Sequence, residues 1–526
     1  MTTKNVNPLL SSVTAPRTRK RLLPLMIGTV LLAGCAVHPH PISLDERRAD
    51  LANDRRDMYS GQEAVTGPVT LEEAMARALK YNLDHRIKLM EEAVAQDQLS
   101  AANWDLLPQL TAAAGYSTRN NDLASSSEDV VTHQQSLVPS FSSERTHGTA
   151  DLSLSWNILD FGVSYYSARQ QADRVLAFKE RRRKVVQQLM QQVRQAYWQA
   201  AGAQQLETQL NQVLKDANAS LNELQQIEKE NLRSPAETLA TQRQLLDIIR
   251  QMQLVSDELN QAKPKLAALM NLSPGVPYNV AAPANLTAPQ IPVAEDKMEE
   301  TALLNRPDLM EARYNERIGV LETRKAIAKL FPGIQINLGT HYDTNRFLVN
   351  NNWRDAGISV SWNLFNLLKA RSIQRTADAQ RELAHDQRLA LNMAVLTQVH
   401  VAYYDFQARQ RQFDLDQRIS NVDQSLLRHT QNAANVDAKG RIEAVRAEAN
   451  AVVSQLRQYQ SYSALQGAYG QMEATLGQDP LPETVKGHDL TSLQNAVRDA
   501  ETQWQQRQLQ TQTQPTTEGG QATHAG

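Results

Sequence analysis

The chain has 526 residues, enough for two or three ordinary domains and too many for a single small module. Charged residues make up 21% and aromatics only 5%, and the sparse Gly and Pro sit among long Gln- and Ala-rich stretches, which favours long helices over a mixed globular core. Lys+Arg 55 against Asp+Glu 57 leaves a net charge of −2, so no global positive field exists to hold nucleic acid, and a single Cys excludes a disulfide framework or a Cys-rich metal site.

That Cys closes a targeting segment. Arg17, Arg19, Lys20 and Arg21 form a basic start, Leu22 to Leu32 an apolar run, and Leu32-Ala33-Gly34-Cys35 follows. The run falls short of the roughly 20 residues of a spanning helix. Small residues before a Cys resemble a bacterial lipobox, which implies cleavage after residue 34 and acylation of Cys35, with palmitate among the expected chains. Ala36 rather than Asp follows it, which implies sorting to the outer membrane and a large periplasmic part. Residues 1–34 are thus a signal peptide and 35–66 a polar, acylated lead.

Beyond the lead the chain repeats itself. Pro108-Gln109-Leu110 matches Pro332-Gly333-Ile334, and Asn82 with Asp84 corresponds to Asn305 with Asp308 after one inserted residue. Ser155-Trp156-Asn157-Ile158 matches Ser361-Trp362-Asn363-Leu364, and one unbroken offset then pairs Ala196-Tyr197 with Ala402-Tyr403, Glu237 with Glu443, and Pro274 with Pro480. Residues 67–281 and 282–482 form two copies of one unit, and 483–526 a polar, largely disordered tail. Each copy reads helix, strand, loop, strand, long helix, turn, helix. The first helix starts at Thr70 with Glu73 three residues on, a capping box, and its partner runs from about Val293 to Lys329.

The strands alternate with period two. Leu152, Leu154, Trp156 and Ile158 interleave with Ser153, Ser155 and Asn157, and Ile358, Val360, Trp362 and Leu364 with Ser359, Ser361 and Asn363. Leu110, Ala112, Ala114 and Tyr116, and Ile334, Ile336 and Leu338, do the same. Alternation also fits a soluble sheet with one wet face. The outer-membrane signal favours strands that cross lipid with the apolar set outward, because ~9–11 residues suffice. Four strands cannot close a barrel and an open edge in lipid leaves backbone groups unpaired, so two or more chains must share one barrel.

After each second strand comes a helical stretch without Pro, at about 167–232 and 370–436, each reaching ~100 Å at ~1.5 Å per residue. Val186, Val193, Ala200, Leu214 and Leu221 make one heptad set, interrupted by Glu207, and Leu189, Ala196, Ala203, Leu210, Ala217 and Leu224 the other. Turns near Ser234-Pro235 and Lys439-Gly440 reverse the chain.

Catalytic spacing is missing: no HExxH, CxxC, Gly-rich phosphate loop or GxSxG occurs. His38 and His40 read as exposed residues of the lead, and His341 sits at a strand-to-loop edge with no partner in sight. The expectation is a non-enzymatic protein with no cofactor.

The duplicated unit, Asn82, the Asn305-Arg306-Pro307-Asp308-Leu309 turn, the Leu107-Pro108 and Phe331-Pro332 strand entries and the two Ser-Trp-Asn strands resemble the TolC-like outer-membrane efflux family, in its lipoprotein branch. The resemblance spans about residues 67–482. It implies a mainly α protein with a membrane β-barrel: a homotrimer whose four strands per chain make a twelve-stranded barrel, continued by a periplasmic helical tunnel. It also implies a periplasmic adaptor and an inner-membrane pump as partners, and passive export of small molecules. Protein or polysaccharide secretion, and a pore-less periplasmic coiled-coil scaffold, are the alternatives. Family members narrow at the periplasmic tip. There Glu237, Glu443, Lys439 and Asp437 fall at gate positions, although Arg446 stands where a second acid is common and Asn435-Val436-Asp437-Ala438 replaces a Gly-rich turn. A carboxylate ring would favour cations; the plain alternative is a first-turn Glu set against the helix dipole.

Overall fold

The computed structural model describes residues 39–136, 138–230, 234–281, 285–291, 294–433, 438–482 and 487–512. The signal segment, Cys35, His38 and Asp437 lie outside the described residues, as does the side chain of Lys439. The chain divides into two units, Met1–Gly61 and Gln62–Gly526. In the first, α1 (Leu44–Met58) opens on a reciprocal capping box: Ser43 Oγ accepts from Glu46 N at 3.2 Å and Glu46 accepts from Ser43 N at 2.8 Å.

The second unit runs α2 (Leu71–Tyr81), α3 (Leu83–Trp104), β1 (Gln109–Thr118), the short β2 (Ala124–Ser125) and β3 (Ser140–Phe141), β4 (Thr146–Asn157), α4 (Ile158–Lys229) and α5 (Pro235–Leu269). The second copy follows as α6 (Glu295–Asn305), α7 (Pro307–Ala328), β5 (Gly333–Asp343), β6 (Asn352–Ser361), α8 (Asn366–Ala433) and α9 (Ala438–Thr475), and α10 (Leu490–Gln512) closes the fold.

The single first helix expected in each copy is two helices. Asn82 is extended (ψ 127°) and its side-chain oxygen accepts from His85 N at 3.1 Å, capping α3. In the second copy Pro307 starts α7 after an extended Arg306 (ψ 131°). Because α2 and α6 have 11 residues each and α3 and α7 have 22 each, no residue is inserted. Asn82 therefore corresponds to Arg306, and Asp84 to Asp308, which corrects the pairing read from the sequence. Of the expected capping box at Thr70 only half forms, since Thr70 accepts from Glu73 N while the Glu73 carboxylate turns to Arg77 Nε at 2.8 Å.

With 72 and 68 residues, α4 and α8 would span ~110 and ~100 Å. The heptad positions of α4 from Val186 to Leu224 are buried, apart from the half-buried Leu214 and the exposed Glu207 that interrupts the set. Small residues set a close approach to α9: a Cβ on Gly202 would stand 2.7 Å from Tyr459 Cβ, and Ser463 Oγ donates to the Gln195 carbonyl at 2.8 Å. Where α4 meets α9, Trp198 packs edge-on to Tyr197 and Tyr462, with centroids 5.5 and 4.7 Å apart.

The tail expected from residue 483 onward is helical over Leu490–Gln512. Leu490, Leu493, Val497, Ala500 and Trp504 lie at helical spacing and are buried, and that stripe orders a segment whose Gln-rich composition reads as disorder.

Four strands form one antiparallel sheet in the order β1-β4-β5-β6. β1 and β6 are its edges.

Candidate functional site

Register places the alternating residues in rows across the sheet. On one face Leu110, Leu154, Leu338 and Ala356 stand opposite one another, beside the row Trp156, Ile336 and Ile358 and the pair Ile334 and Val360. The other face carries Gln109, Ser155, Asn337 and Gly357 in one row and Asn157, Gln335 and Ser359 in the next. The apolar face is open, with Ile358 75% exposed.

Of the eight residues assigned to this face, Leu152, Leu154, Trp156, Ile358 and Val360 lie within strands. Ile158 instead opens α4, and Trp362 and Leu364 fall beyond the end of β6. The reason is the asparagine in each copy. Asn157 Oδ1 accepts from Leu159 N at 3.0 Å and Asn363 Oδ1 accepts from Phe365 N at 3.1 Å, so alternation gives way to a turn before Ile158 and Leu364 can join the sheet. Trp362 is tied down there by donating from Nε1 to the Leu330 carbonyl at 3.0 Å.

His341 is not solitary. It lies within β5 on the polar face, where Nδ1 meets the Asp151 carboxylate at 2.6 Å, Nε2 faces Asp355 at 3.3 Å, and the ring stacks on Trp353 with centroids 5.2 Å apart. His147 and Asp343 approach to 3.5 Å one row away. A Cβ on Gly339 would run into Asp355 and the His341 ring, so only Gly leaves room for this cluster. Sequence reading missed it because its members stand on three strands; the alternation that put Asp151, His341 and Asp355 in the polar set was the available signal.

Helical neighbours define two sides of the chain. The first part of α4 packs on α3 and α7 and the second on α5 and α9, so it is flanked throughout. By contrast α8 packs on α6, α7 and α9 and leaves Met393, Val401, Tyr404, Leu415, Ile419, Val422 and Leu426 exposed at helical spacing. At the opposite side α3 exposes Leu83, Ile87, Met90 and Val94 at the same spacing, lining a groove with Phe178, and α5 exposes Leu239, Leu246 and Leu254. Exposed apolar stripes of this kind are candidate interaction surfaces.

The junctions between short and long helices are polar and fixed. Asn82 Nδ2 donates to the Leu269 carbonyl at 3.2 Å, tying the start of α3 to the end of α5. Arg306 forks onto Asp308 at 3.0 and 2.5 Å and reaches Gln398 at 2.7 Å. Burial opposes ionisation of Asp308, but the guanidinium outweighs it and holds the carboxyl below its ordinary range.

Glu237 is the third residue of α5, exposed, beside an N-cap Ser234 that makes no side-chain cap bond. Glu443 is exposed in the second turn of α9, as is Arg446 a turn further on. Lys439 lies on the first turn of α9. Among the described residues no group of three or more His, Cys, Asp or Glu could hold a metal ion, and no helix is long and apolar enough to cross a membrane.

A duplicated helix and strand-pair unit, a two-faced sheet and two helices of about 70 residues are the features that characterise the fold. The sequence profile described as outer membrane efflux protein matches residues 75–272 and 299–478, and the chain belongs to that family. Solved structures with this fold include the outer-membrane channel OprN, at 19% identity and TM-score 0.58 over 77% of this chain and 89% of that one. The Campylobacter jejuni CmeC outer membrane channel has 14% identity and TM-score 0.61 over 80% and 90%. The open state of the Neisseria gonorrhoeae MtrE outer membrane channel has 16% identity and TM-score 0.55 over 78% and 93%. No curated protein matches the chain.

Proposed function

We propose that the chain is the passive outer-membrane exit duct of a tripartite efflux system: a homotrimer anchored through acylated Cys35, which receives small molecules from an inner-membrane pump through a periplasmic adaptor. The observation that carries this reading is the pair of unpaired edges on a sheet with one apolar face. β1 and β6 run antiparallel, so joining β6 of one chain to β1 of the next continues the alternation. Lipid requires that joining, because an edge left open has no water to satisfy its N–H and C=O groups. Two copies would give eight strands, whose interior side chains or one small ligand fill; three give twelve and a wet lumen. The α8 stripe of one chain then meets the α3 and α5 stripes of the next. The serine face lines the lumen, and Glu237 and Glu443 stand at the far constriction. A pore-less scaffold has no use for a sheet with lipid and water faces.

The test is a cysteine pair across the edges. With Ala113→Cys on β1 and Ser359→Cys on β6, neither able to reach the other within one chain, oxidation in membranes should give ladders ending at three chains, and the purified protein should conduct in planar bilayers. Monomers under every pairing along these edges, with no conductance, would overturn the reading.

A further inference from the structure

The family profile ends at residue 478, and α10 lies beyond it. This helix is nevertheless seated over α2 and α4. Leu490 and Leu493 cluster with Ala76, Val497 and Trp504 enter the main core, and Gln494 donates to Thr70 Oγ1 at 3.3 Å. At the heart of the seat is one buried cation facing two carboxylates. Arg194 of α4 lies over the Tyr469 ring at 5.2 Å, with Glu473 of α9 at 3.5 Å and Glu501 of α10 at 3.3 Å. Beside them is a cavity of about 40 Å³, lined also by Gln187, Gln191 and Trp504, which is room for a water molecule. The next acid along, Asp479, is held by Arg183 at 2.9 Å and supplies no counter-charge.

One guanidinium faces two carboxylates, Glu473 the more enclosed at 19% exposed and Glu501 nearer solvent at 27%, so with both ionised a poorly hydrated site carries one excess negative charge. Two routes relieve the excess: Glu473 takes a proton, or α10 lifts, carrying Glu501 into water and leaving Arg194 paired with Glu473 alone. We propose that α10 is a pH-released strap, seated while Glu473 is protonated and loosened when Glu473 ionises against Glu501. Every charged or titratable group in contact bears on this balance: Arg194 on α4, Tyr469 on α9 as a neutral hydrogen-bond partner, and Glu501 on α10. Burial first, and Glu501 with it, pushes the Glu473 carboxyl up to about 7 against the pull of Arg194. The sign follows. A carboxyl whose seated pKa is raised stabilises the seat at low pH, and that stabilisation is lost as pH rises through the seated value. Because α9 carries Glu473 near its end, the strap clamps that end to α4 and α2, and release frees it.

Amide hydrogen exchange on the full-length protein in detergent, corrected for intrinsic rates, reads this directly. From pH 6 to pH 8 protection of residues 490–504 should fall about tenfold, while α3 is unchanged. Glu473→Gln, which mimics the protonated acid, should hold α10 protected at both values. Glu501→Gln removes the second charge and should weaken the pH dependence to less than half of the wild-type response, since burial of Glu473 remains, and it serves if the first variant does not fold. Equal protection of the wild-type strap at both pH values, or a wild-type response persisting in either variant, would overturn the proposal.

Discussion

Replacing Leu154 by Arg is the sharpest test of where the sheet lives. Leu154 stands opposite Leu110 and Leu338, between the row of Trp156, Ile336 and Ile358 and the row of Ala112, Leu152, Thr340 and Arg354. It therefore has apolar residues on three sides and lies between Trp156 toward one end of the face and Tyr116 and Tyr342 toward the other, with Arg354 two strands away in the neighbouring row. Arg at the midplane of a lipid-facing barrel surface costs about 2–4 kcal/mol, falling to ~0–1 near the rims. That is about 30- to 700-fold in the insertion equilibrium for each chain, and three chains sharing a barrel multiply it. Ser155 is the control, one residue away but on the face of Gln109 and Asn337. Refolding into vesicles titrated with urea should show a large loss for Leu154→Arg and little for Ser155→Arg. Equal losses, or a larger one for Ser155→Arg, would refute the assignment of faces.

Cys35→Ser should abolish incorporation of labelled palmitate, and label that persists would remove the anchor. Asn82→Ala should cost ~0.5–2 kcal/mol through the lost cap of α3, seen as faster amide exchange in its first turn; unchanged exchange would mean the cap is idle. Gly202→Val drives a branched side chain into Tyr459, 2.7 Å from its own Cβ position, and overpacking of ~1–3 kcal/mol should lower the urea midpoint. Tyr459→Ala in the same chain should recover part of that loss, and a penalty indifferent to Tyr459 would refute the contact. Glu237→Gln with Glu443→Gln should shift the reversal potential in a salt gradient toward lower cation preference, with barrel insertion intact; an unchanged potential would place both glutamates on the outer wall.

What was legible in the sequence is what repeats along one dimension. The heptads of α4, the alternation in β4 and β6 and the duplication are periodic, and period maps directly onto burial and face. Local competition set the limits of that reading. Asn157 and Asn363 look like ordinary polar positions of a strand until their side chains cap the following turn, which removes Ile158 and Leu364 from the sheet. Asn82 and Pro307 break what hydropathy alone presents as one helix. Contacts across the chain were out of reach: nothing near Asp151 announces His341, and nothing near Arg194 announces Glu501. In α10 an apolar residue every three or four positions was diluted by Gln and Thr, so composition hid the periodicity that orders it.

The central seam of the sheet, between β4 and β5, sets an order of events. β1 with β4 and β5 with β6 are hairpins that close over residues 119–145 and 344–351, whereas β4 and β5 are separated by every residue from Ile158 to Pro332. Closing so long a loop by backbone pairing alone is entropically slow. α7 docks on α4 through Arg317 on Asp173 and Gln170 on the Ile318 carbonyl and Glu322, which holds the two hairpins side by side. An order in which this docking precedes the ladder avoids the entropic cost, and on the proposed barrel it keeps each hairpin, with both edges open, in water until its neighbour arrives. A chain interrupted before Pro307 should then yield an apolar hairpin that does not enter vesicles, and insertion of that fragment would refute this order.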